Sequence, residues 1–154
     1  MLQSFPYLQA WAQELRQLVH DMGGTMRRSN TRVLVIDDNS DIRDTLRWLL
    51  EGEGYIVSVA ANGAEGLRLQ RNEPADIVVT DIFMPEQDGI ETLWKFREEF
   101  PNVPIIVMSG GGAARGTDYL SVARELGAKK TLRKPLDPKE LIDVVGQITR
   151  SRLS

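Results

Sequence analysis

The chain has 154 residues, 42% of them hydrophobic, with 19 Lys and Arg residues against 22 Asp and Glu residues. A chain of this length buries enough core to fold as one compact domain without a disulfide or a structural metal. The absence of cysteine excludes thiolate metal sites and cysteine nucleophiles. The net charge of −3 disfavours a nucleic-acid-binding module. With no secretory signal and no apolar run near the roughly 18 residues of a membrane span, we expect a cytoplasmic protein without direct nucleic acid or membrane contacts.

Residues 1–30 differ from the rest of the chain and predict one amphipathic helix followed by a short linker. Apolar positions recur there at intervals of three and four: Leu8, Trp11, Leu15, Leu18, Val19 and Met22. Two interpretations are open. The segment is a leader from an upstream start codon, since Met26 can itself begin a complete domain, or it is a helix that docks on a partner or dimerises. We expect residues 31–150 to form the main domain and residues 151–154 a tail.

From residue 31 onward, a strand and a helix alternate five times. The strands are predicted as short apolar runs at 33–36, 55–60, 77–80, 104–109 and 131–133. The helices are predicted from apolar residues at helical spacing. The first is capped by Ser40 or Asp41 and ends near Gly52 and Gly54, and the others lie at 64–70, 90–100, 117–126 and 138–150. Five such units predict an α/β fold with a doubly wound five-stranded parallel sheet and helices on both faces.

Polar residues follow four of these strands, at the edge of the sheet where ligands bind in such folds. Asp37 and Asp38 follow the first strand, and Asp81 follows the third. Ser109 ends the fourth strand, and Lys134 follows the fifth. We therefore expect three carboxylates, a hydroxyl and an ammonium group to converge at one edge.

Three carboxylates placed together repel one another, so a hard divalent cation is their natural partner, and magnesium or manganese fits an all-oxygen set. Such an ion, with Lys134 and Ser109, offers positive charge and donors to the oxygens of a phosphoryl group. Asp81 is the best candidate for a nucleophile that forms an aspartyl phosphate. The alternative is that these are ordinary loop and helix-cap residues. Lys134 fits that alternative poorly, because the residue before Pro135 is held extended and cannot cap a helix.

The chain resembles the receiver domain of bacterial two-component response regulators. Four stretches carry the resemblance: RVLVIDDNSDIRDTLRWLL, DIVVTDIFMPEQDGIE, PIIVMSGGG and GAKKTLRKPLDPKEL. They span about residues 31–150. The resemblance implies a flavodoxin-like fold with strand order 2-1-3-4-5. Because only four residues follow residue 150, the chain is most similar to stand-alone receivers of the chemotaxis type, which act as phosphorelay intermediates or bind a target.

The resemblance implies a role for each polar residue at the sheet edge. Asp81 matches the aspartate that receives a phosphoryl group from a phosphohistidine on a sensor histidine kinase or a histidine phosphotransfer protein. Ser109 and Lys134 match the residues that bind the phosphoryl oxygens, and the bond before Pro135 matches a cis peptide. The divalent ion, Mg²⁺ or Mn²⁺, is expected to be held by Asp37, Asp38, Asp81 and the backbone carbonyl of Phe83.

Three positions depart from the family pattern. Thr131 stands where many receivers carry a Tyr or Phe that changes rotamer on activation, so coupling through an aromatic flip is not expected. Phe83 and Gly111 stand where family side chains influence the attack of water on the phosphoryl group. A bulky Phe83 shields that bond, whereas Gly111 leaves space. The glycine run 110–112 predicts a mobile loop that takes part in switching, or simply a flexible connection.

A stored phosphoryl group is expected to shift the surface formed by the fourth helix, fifth strand and fifth helix between two states. That surface is locally basic and would meet an unknown acidic protein target or pair with itself, unless it is simply a solvated face. Its basic and aromatic residues are Arg115, Tyr119, Arg124, Lys129, Lys130 and Arg133. Trp48 is a candidate anchor for the phosphodonor partner, or it covers the opening helix.

Two rival classes remain open. The first is a phosphatase of the haloacid dehalogenase type, which also combines an aspartate nucleophile with magnesium. That class needs a second acid two residues after the nucleophile, where this chain has Phe83. The second is an interaction module that keeps the fold without being phosphorylated. As a receiver, the protein is expected to be a signalling domain and not an enzyme. It would catalyse only its own phosphorylation and dephosphorylation.

Overall fold

The computed structural model describes residues 13, 14, 17, 30–84, 87–110 and 119–153. The apolar positions predicted within 1–30 lie outside these residues. Gln13, Glu14 and Gln17 are helical and exposed. The interpretation of the amino-terminal segment, as leader or as docking helix, therefore stays a prediction.

Strands and helices alternate along the chain as the sequence predicts. The strands are β1 (Arg32–Ile36), β2 (Ile56–Ala60), β3 (Ile77–Asp81), β4 (Phe83–Met84), β5 (Gln87–Asp88), β6 (Ile105–Ser109) and β7 (Lys130–Arg133). The helices are α1 (Ser40–Gly52), α2 (Gly63–Asn72), α3 (Gly89–Glu99), α4 (Tyr119–Glu125) and α5 (Pro138–Leu153). The antiparallel pair β4 and β5 follows the third strand and was not predicted, because strands of two residues carry no readable periodicity.

Five of the strands form one parallel sheet in the order β2-β1-β3-β6-β7. Counted along the sheet strands alone, this is the order 2-1-3-4-5, which confirms the predicted fold. Ile36 pairs with Thr80 across β1 and β3, and Asp81 pairs with Met108 across β3 and β6. The register therefore brings the carboxyl ends of the three central strands to one edge.

The core consists of two buried clusters, one on each face of the sheet. Val33 and Val35 of β1 pack with leucines of α1 and with Leu141 and Val145 of α5. Leu34 and Ile36 point to the other face, where the cluster includes residues of α2, α3 and α4. The side chains of a strand alternate between faces, so a continuous apolar run such as VLVI suits a strand covered on both sides.

The helix ends differ in detail from the prediction. Asn39, rather than Ser40 or Asp41, caps α1, since its side-chain oxygen accepts from the backbone N–H groups of Asp41 and Ile42 at 2.9 and 3.3 Å. At the other end of the chain, α5 continues beyond residue 150. Arg152 there donates to the backbone carbonyl of Asp76 at 2.8 Å.

The Asp76 carboxylate also accepts from the backbone N–H of Arg32 at 2.8 Å. Asp76 therefore joins the end of α5 to the start of β1. No helix in the described ranges is both long and apolar enough to cross a membrane.

Candidate functional site

The turn between β1 and α1 holds the first two carboxylates. Asp37 is fully buried, and one of its carboxylate oxygens accepts from the backbone N–H of Asn39 at 2.9 Å. Its own N–H donates to the carbonyl of Ala60 at the end of β2, at 3.1 Å. Its carbonyl accepts from the Nη1 of Arg43 at 2.7 Å. Asp38 follows and is exposed. One carboxylate is thus buried at the sheet edge while the next is exposed to solvent.

The third carboxylate lies at the end of the central strand. Asp81 is buried as the last residue of β3, and Ile82 then donates its N–H to the carbonyl of Met108 at 3.0 Å. The start of α3 packs tightly behind this point. A Cβ atom on Gly89 would lie 2.0 Å from the Ile82 carbonyl oxygen, so a larger residue at position 89 would have to displace the backbone.

Lys134 connects the carboxylates. Its Nζ donates to Oδ2 of Asp37 at 2.9 Å and to Oδ2 of Asp81 at 3.0 Å. Its backbone N–H donates to the carbonyl of Ser109 at 2.9 Å, which anchors the loop after β7 to the end of β6. The bond from Lys134 to Pro135 is cis, the isomer that the resemblance implies.

Burial and charge act against each other on these groups. Burial raises the pKa of Asp37 above its ordinary value, although Lys134 and the N–H of Asn39 partly offset this effect. Burial alone would lower the pKa of Lys134, but the hydrogen bond and charge of Asp37 and the charge of Asp81 outweigh it and raise this pKa. The ammonium group is therefore held in its charged form between two carboxylates.

The donor set fits a divalent cation. Asp37, Asp38 and Asp81 each place a carboxylate oxygen so that the three oxygens lie within 4.8 Å of one another. All three ligand atoms are oxygens, which hard cations such as Mg²⁺ and Mn²⁺ prefer to nitrogen or sulfur. Three acids and one lysine also leave an excess of negative charge that a cation would neutralise.

The structure brings together the carboxylates and Lys134, as the sequence predicts. Ser109 is buried at the end of β6, in the strand next to Asp81. Phe83 lies in β4, paired with Asp88, and the role of its carbonyl stays a prediction. Gly111 lies outside the described residues, so the expected mobile loop at 110–112 stays untested.

Thr131 has a partner that the sequence did not suggest. Arg124 of α4 donates from Nε and Nη2 to the Thr131 hydroxyl oxygen at 3.1 and 2.9 Å. Arg43, whose side chain reaches the carbonyl of Asp37, was likewise missed. Both contacts involve long side chains that bond neutral oxygens, and no charge pattern in the sequence marks such pairs.

The other predicted surface residues are only partly described. Arg124, Lys129, Lys130 and Arg133 are exposed. Arg115 lies outside the described residues. Trp48 is half-buried and packs against the core cluster that α1 and α5 share. It therefore covers part of this cluster, and its role as a partner anchor stays a prediction.

The chain matches one family model, described as the response regulator receiver domain, over residues 33–146. It is 42% identical over 117 residues to an uncharacterized 14.6 kDa protein of Leptolyngbya boryana, covering 75% of this chain and 87% of that protein. It is 34% identical over 116 residues to sporulation initiation phosphotransferase F of Bacillus subtilis, covering 75% of this chain and 91% of that protein.

Another relative is the transcriptional regulatory protein CpxR homolog of Haemophilus influenzae, which is 38% identical over 125 residues. That match covers 80% of this chain but only 52% of the relative. Among solved structures, the receiver domain of the Francisella response regulator 1452 matches with a TM-score of 0.71 and 32% identity, covering 80% of this chain and 99% of that domain.

Proposed function

The chain belongs to the response regulator receiver family, and on that premise we propose that its Asp81 accepts a phosphoryl group from a phosphohistidine. Receiver domains are signalling domains of two-component systems rather than typical enzymes. Their general partners are histidine kinases and histidine phosphotransfer proteins, and we assign one of these to this chain as its phosphodonor. The proposed phosphoacceptor unit is residues 31–150, with residues 1–30 as an extension; residues 151–153, predicted as part of a tail, instead continue α5.

One observation supports this assignment most strongly: a single ammonium group bridges two buried carboxylates, one just after β1 and one at the end of β3. Lys134 contacts both Asp37 and Asp81 although it lies 97 and 53 residues away from them. Burying two carboxylates is costly unless a cation such as the partly buried Lys134 neutralises them. Buried ionisable groups at the ligand-binding edge of such a sheet are typical of a site that binds a charged ligand.

The proposed reaction is an in-line displacement at phosphorus. A carboxylate oxygen of Asp81 attacks the phosphorus atom, and a new P–O bond forms while the P–N bond to the donor imidazole breaks. The imidazole nitrogen keeps the electron pair of the broken bond. When bound by Asp37, Asp38, Asp81 and the Phe83 carbonyl, Mg²⁺ or Mn²⁺ supplies positive charge that neutralises the transferring oxygens.

Lys134 and Ser109 complete the site. The Lys134 ammonium is already placed next to Asp81, so it needs little rearrangement to pair with a phosphoryl oxygen there. Ser109 has its hydroxyl at the end of the neighbouring strand, where it would donate to another oxygen. The backbone N–H of Lys134 donates a hydrogen bond to the backbone carbonyl of Ser109. A shift of either residue toward the phosphoryl group would therefore be passed to the other.

The proposed output is a change in the surface formed by α4, β7 and α5. Four exposed cations lie in this region: Arg124, Lys129, Lys130 and Arg133. Their charge favours an acidic protein target, or a second copy that offers its own acidic residues. Phosphorylation at the carboxyl edge would bias this surface through the Lys134 and Ser109 connection.

The proposal is tested by incubating the protein with Mg²⁺ and acetyl phosphate and measuring its intact mass. We expect an adduct of one phosphoryl group in the wild type and none in Asp81→Asn. Asp143→Asn, which removes an exposed carboxylate on α5, is the matched control and should be phosphorylated normally. An adduct that persists in Asp81→Asn, or that forms in the presence of EDTA, would contradict the proposal.

The same experiment separates the rival classes. A phosphatase of the haloacid dehalogenase type would consume acetyl phosphate continuously without a lasting adduct. Phe83 at the position of the required second acid argues against that class. An interaction module that is never phosphorylated would neither form the adduct nor consume the donor.

A further inference from the structure

We propose that Arg43 is a positioning residue for the divalent cation, because it fixes the peptide that joins the two adjacent acidic ligands. This inference rests on the proposed function, since it concerns the same site. Arg43 lies in the first turns of α1. It is not a candidate ligand of the ion, since the candidate ligands are the three carboxylates.

The contact is specific in its geometry. The Nη1 of Arg43 donates to the backbone carbonyl of Asp37 at 2.7 Å, and this contact is partly buried. That carbonyl belongs to the peptide between Asp37 and Asp38. The backbone of Arg43 is itself fixed, because its N–H donates to the carbonyl of Asn39 at 3.0 Å. The guanidinium group therefore acts from an ordered part of the helix on one defined peptide plane.

The two acids depend on this peptide to different degrees. The Asp37 carboxylate has partners of its own, namely the N–H of Asn39 and the ammonium group of Lys134. The Asp38 carboxylate is exposed, and within the described ranges it accepts no hydrogen bond and forms no ion pair. Its direction thus depends on the backbone that precedes it, and Arg43 holds that backbone.

The charge of Arg43 would act in the opposite direction to its positioning role. A guanidinium cation beside a metal site repels a divalent ion, so if charge were its main effect, a neutral replacement would bind the ion more tightly. If positioning dominates, a neutral replacement binds the ion more weakly, because Asp38 must be ordered during binding. The sign of the change in affinity therefore separates the two roles.

The test is direct Mn²⁺ binding, measured as free ion by electron paramagnetic resonance, on Arg43→Met and Arg43→Lys. We expect Arg43→Met to bind Mn²⁺ about tenfold more weakly, the lower end of the effect usually seen when a residue that orients a ligand is removed. Arg43→Lys keeps a donor and should fall between Arg43→Met and the wild type. The matched control is Arg47→Met, one turn further along α1, whose side chain pairs with the exposed Glu51 and which should bind like the wild type.

Phosphorylation by acetyl phosphate gives an independent readout. We expect Arg43→Met to need about tenfold more Mg²⁺ for its half-maximal rate, while its rate at saturating Mg²⁺ stays near that of the wild type. Urea denaturation in EDTA shows how much of each variant is folded, so that binding is counted per folded protein. Unchanged or tighter Mn²⁺ binding by folded Arg43→Met would overturn the inference while leaving the proposed function intact. Failure of the wild type to bind Mn²⁺ would overturn both.

Discussion

The guanidinium group of Arg124 donates two hydrogen bonds to the hydroxyl oxygen of Thr131, at 3.1 Å from Nε and 2.9 Å from Nη2. This pair ties α4 to β7, three residues before Lys134. Thr131 stands where many receivers carry a switching aromatic residue. In this chain a polar tether joins two of the three elements of the proposed output surface, α4 and β7, at that position.

We expect the tether to contribute measurable coupling between the two residues. A double-mutant cycle with Arg124→Gln and Thr131→Val should give a coupling free energy of about 1 kcal/mol, the net contribution of a typical hydrogen bond. Urea denaturation of the four proteins measures it. Arg133→Gln, an exposed cation on the same strand, should combine additively with Thr131→Val. Additive effects for the Arg124 pair would show that the contact does not stabilise the fold.

The pKa of Lys134 should lie above its ordinary value of 10.5 in the metal-free protein, because Asp37 and Asp81 both favour the ammonium form. Titration of the lysine side-chain carbon signals by NMR measures it. In Asp37→Asn and in Asp81→Asn the pKa should fall relative to the wild type. An unchanged Lys134 pKa in both variants would mean that the ion pairs do not form in solution.

The same shift gives a pH dependence of stability with a defined sign. A lysine whose pKa is raised in the folded state stabilises the fold below its unfolded pKa near 10.5, and this contribution is lost as the pH rises through the folded pKa. The raised pKa of Asp37 acts differently, since it costs stability as the pH rises above 3.8. In EDTA, the stability difference between wild type and Lys134→Met should therefore be constant at neutral pH and shrink above pH 10.5.

Removing Lys134 should make stability depend on the divalent ion. Lys134→Met leaves Asp37 and Asp81 buried beside each other without a compensating cation, which should cost about 3 kcal/mol in EDTA. Saturating Mg²⁺ should recover most of this loss, because the ion takes over the neutralising role. Urea denaturation with and without Mg²⁺ measures both effects. An equal loss under both conditions would mean that the carboxylates do not bind the ion.

Close packing of α2 against β1 makes a prediction about Gly66. A Cβ atom there would lie 2.4 Å from Cδ1 of Ile36, the residue before Asp37. Gly66→Ala should therefore destabilise the fold by about 2 kcal/mol through overpacking. Ile36→Val removes Cδ1 and should reduce the cost of Gly66→Ala in the double variant, as measured by thermal or urea denaturation. A cost unaffected by Ile36→Val would place the strain elsewhere.

The fold and the main polar residues could be predicted because they follow from local patterns. Short apolar runs predicted β1, β3 and β6, and the parallel order places their ends together. Once Asp37 and Asp81 were assigned to strand ends, their proximity followed from the topology alone. The convergence of Lys134 on this edge was predicted from its place after the last strand, whereas its bridging of Asp37 and Asp81 was not.

The contacts that could not be predicted depend on side-chain conformations rather than on sequence spacing. Arg43 and Arg124 both look like ordinary charges on exposed helix faces. Arg43 bonds a backbone carbonyl and Arg124 bonds the hydroxyl of Thr131, so neither has an oppositely charged partner that the sequence would reveal. The extension of α5 to Leu153 was missed for a similar reason, because its last turn is held by the Arg152 contacts with Asp76.

The contacts of Asp76 determine where reporters or tags can be attached to this protein. It binds the backbone N–H of Arg32 and lies beside Arg152, so both ends of the folded unit emerge at the same place. Five strand residues, about 16 Å, separate that place from the carboxylate edge. Fluorescent reporters or surface-immobilisation tags joined directly at residues 32 and 153 would leave the acidic cluster open to solution, and two reporters at these positions would lie close enough to each other for energy transfer.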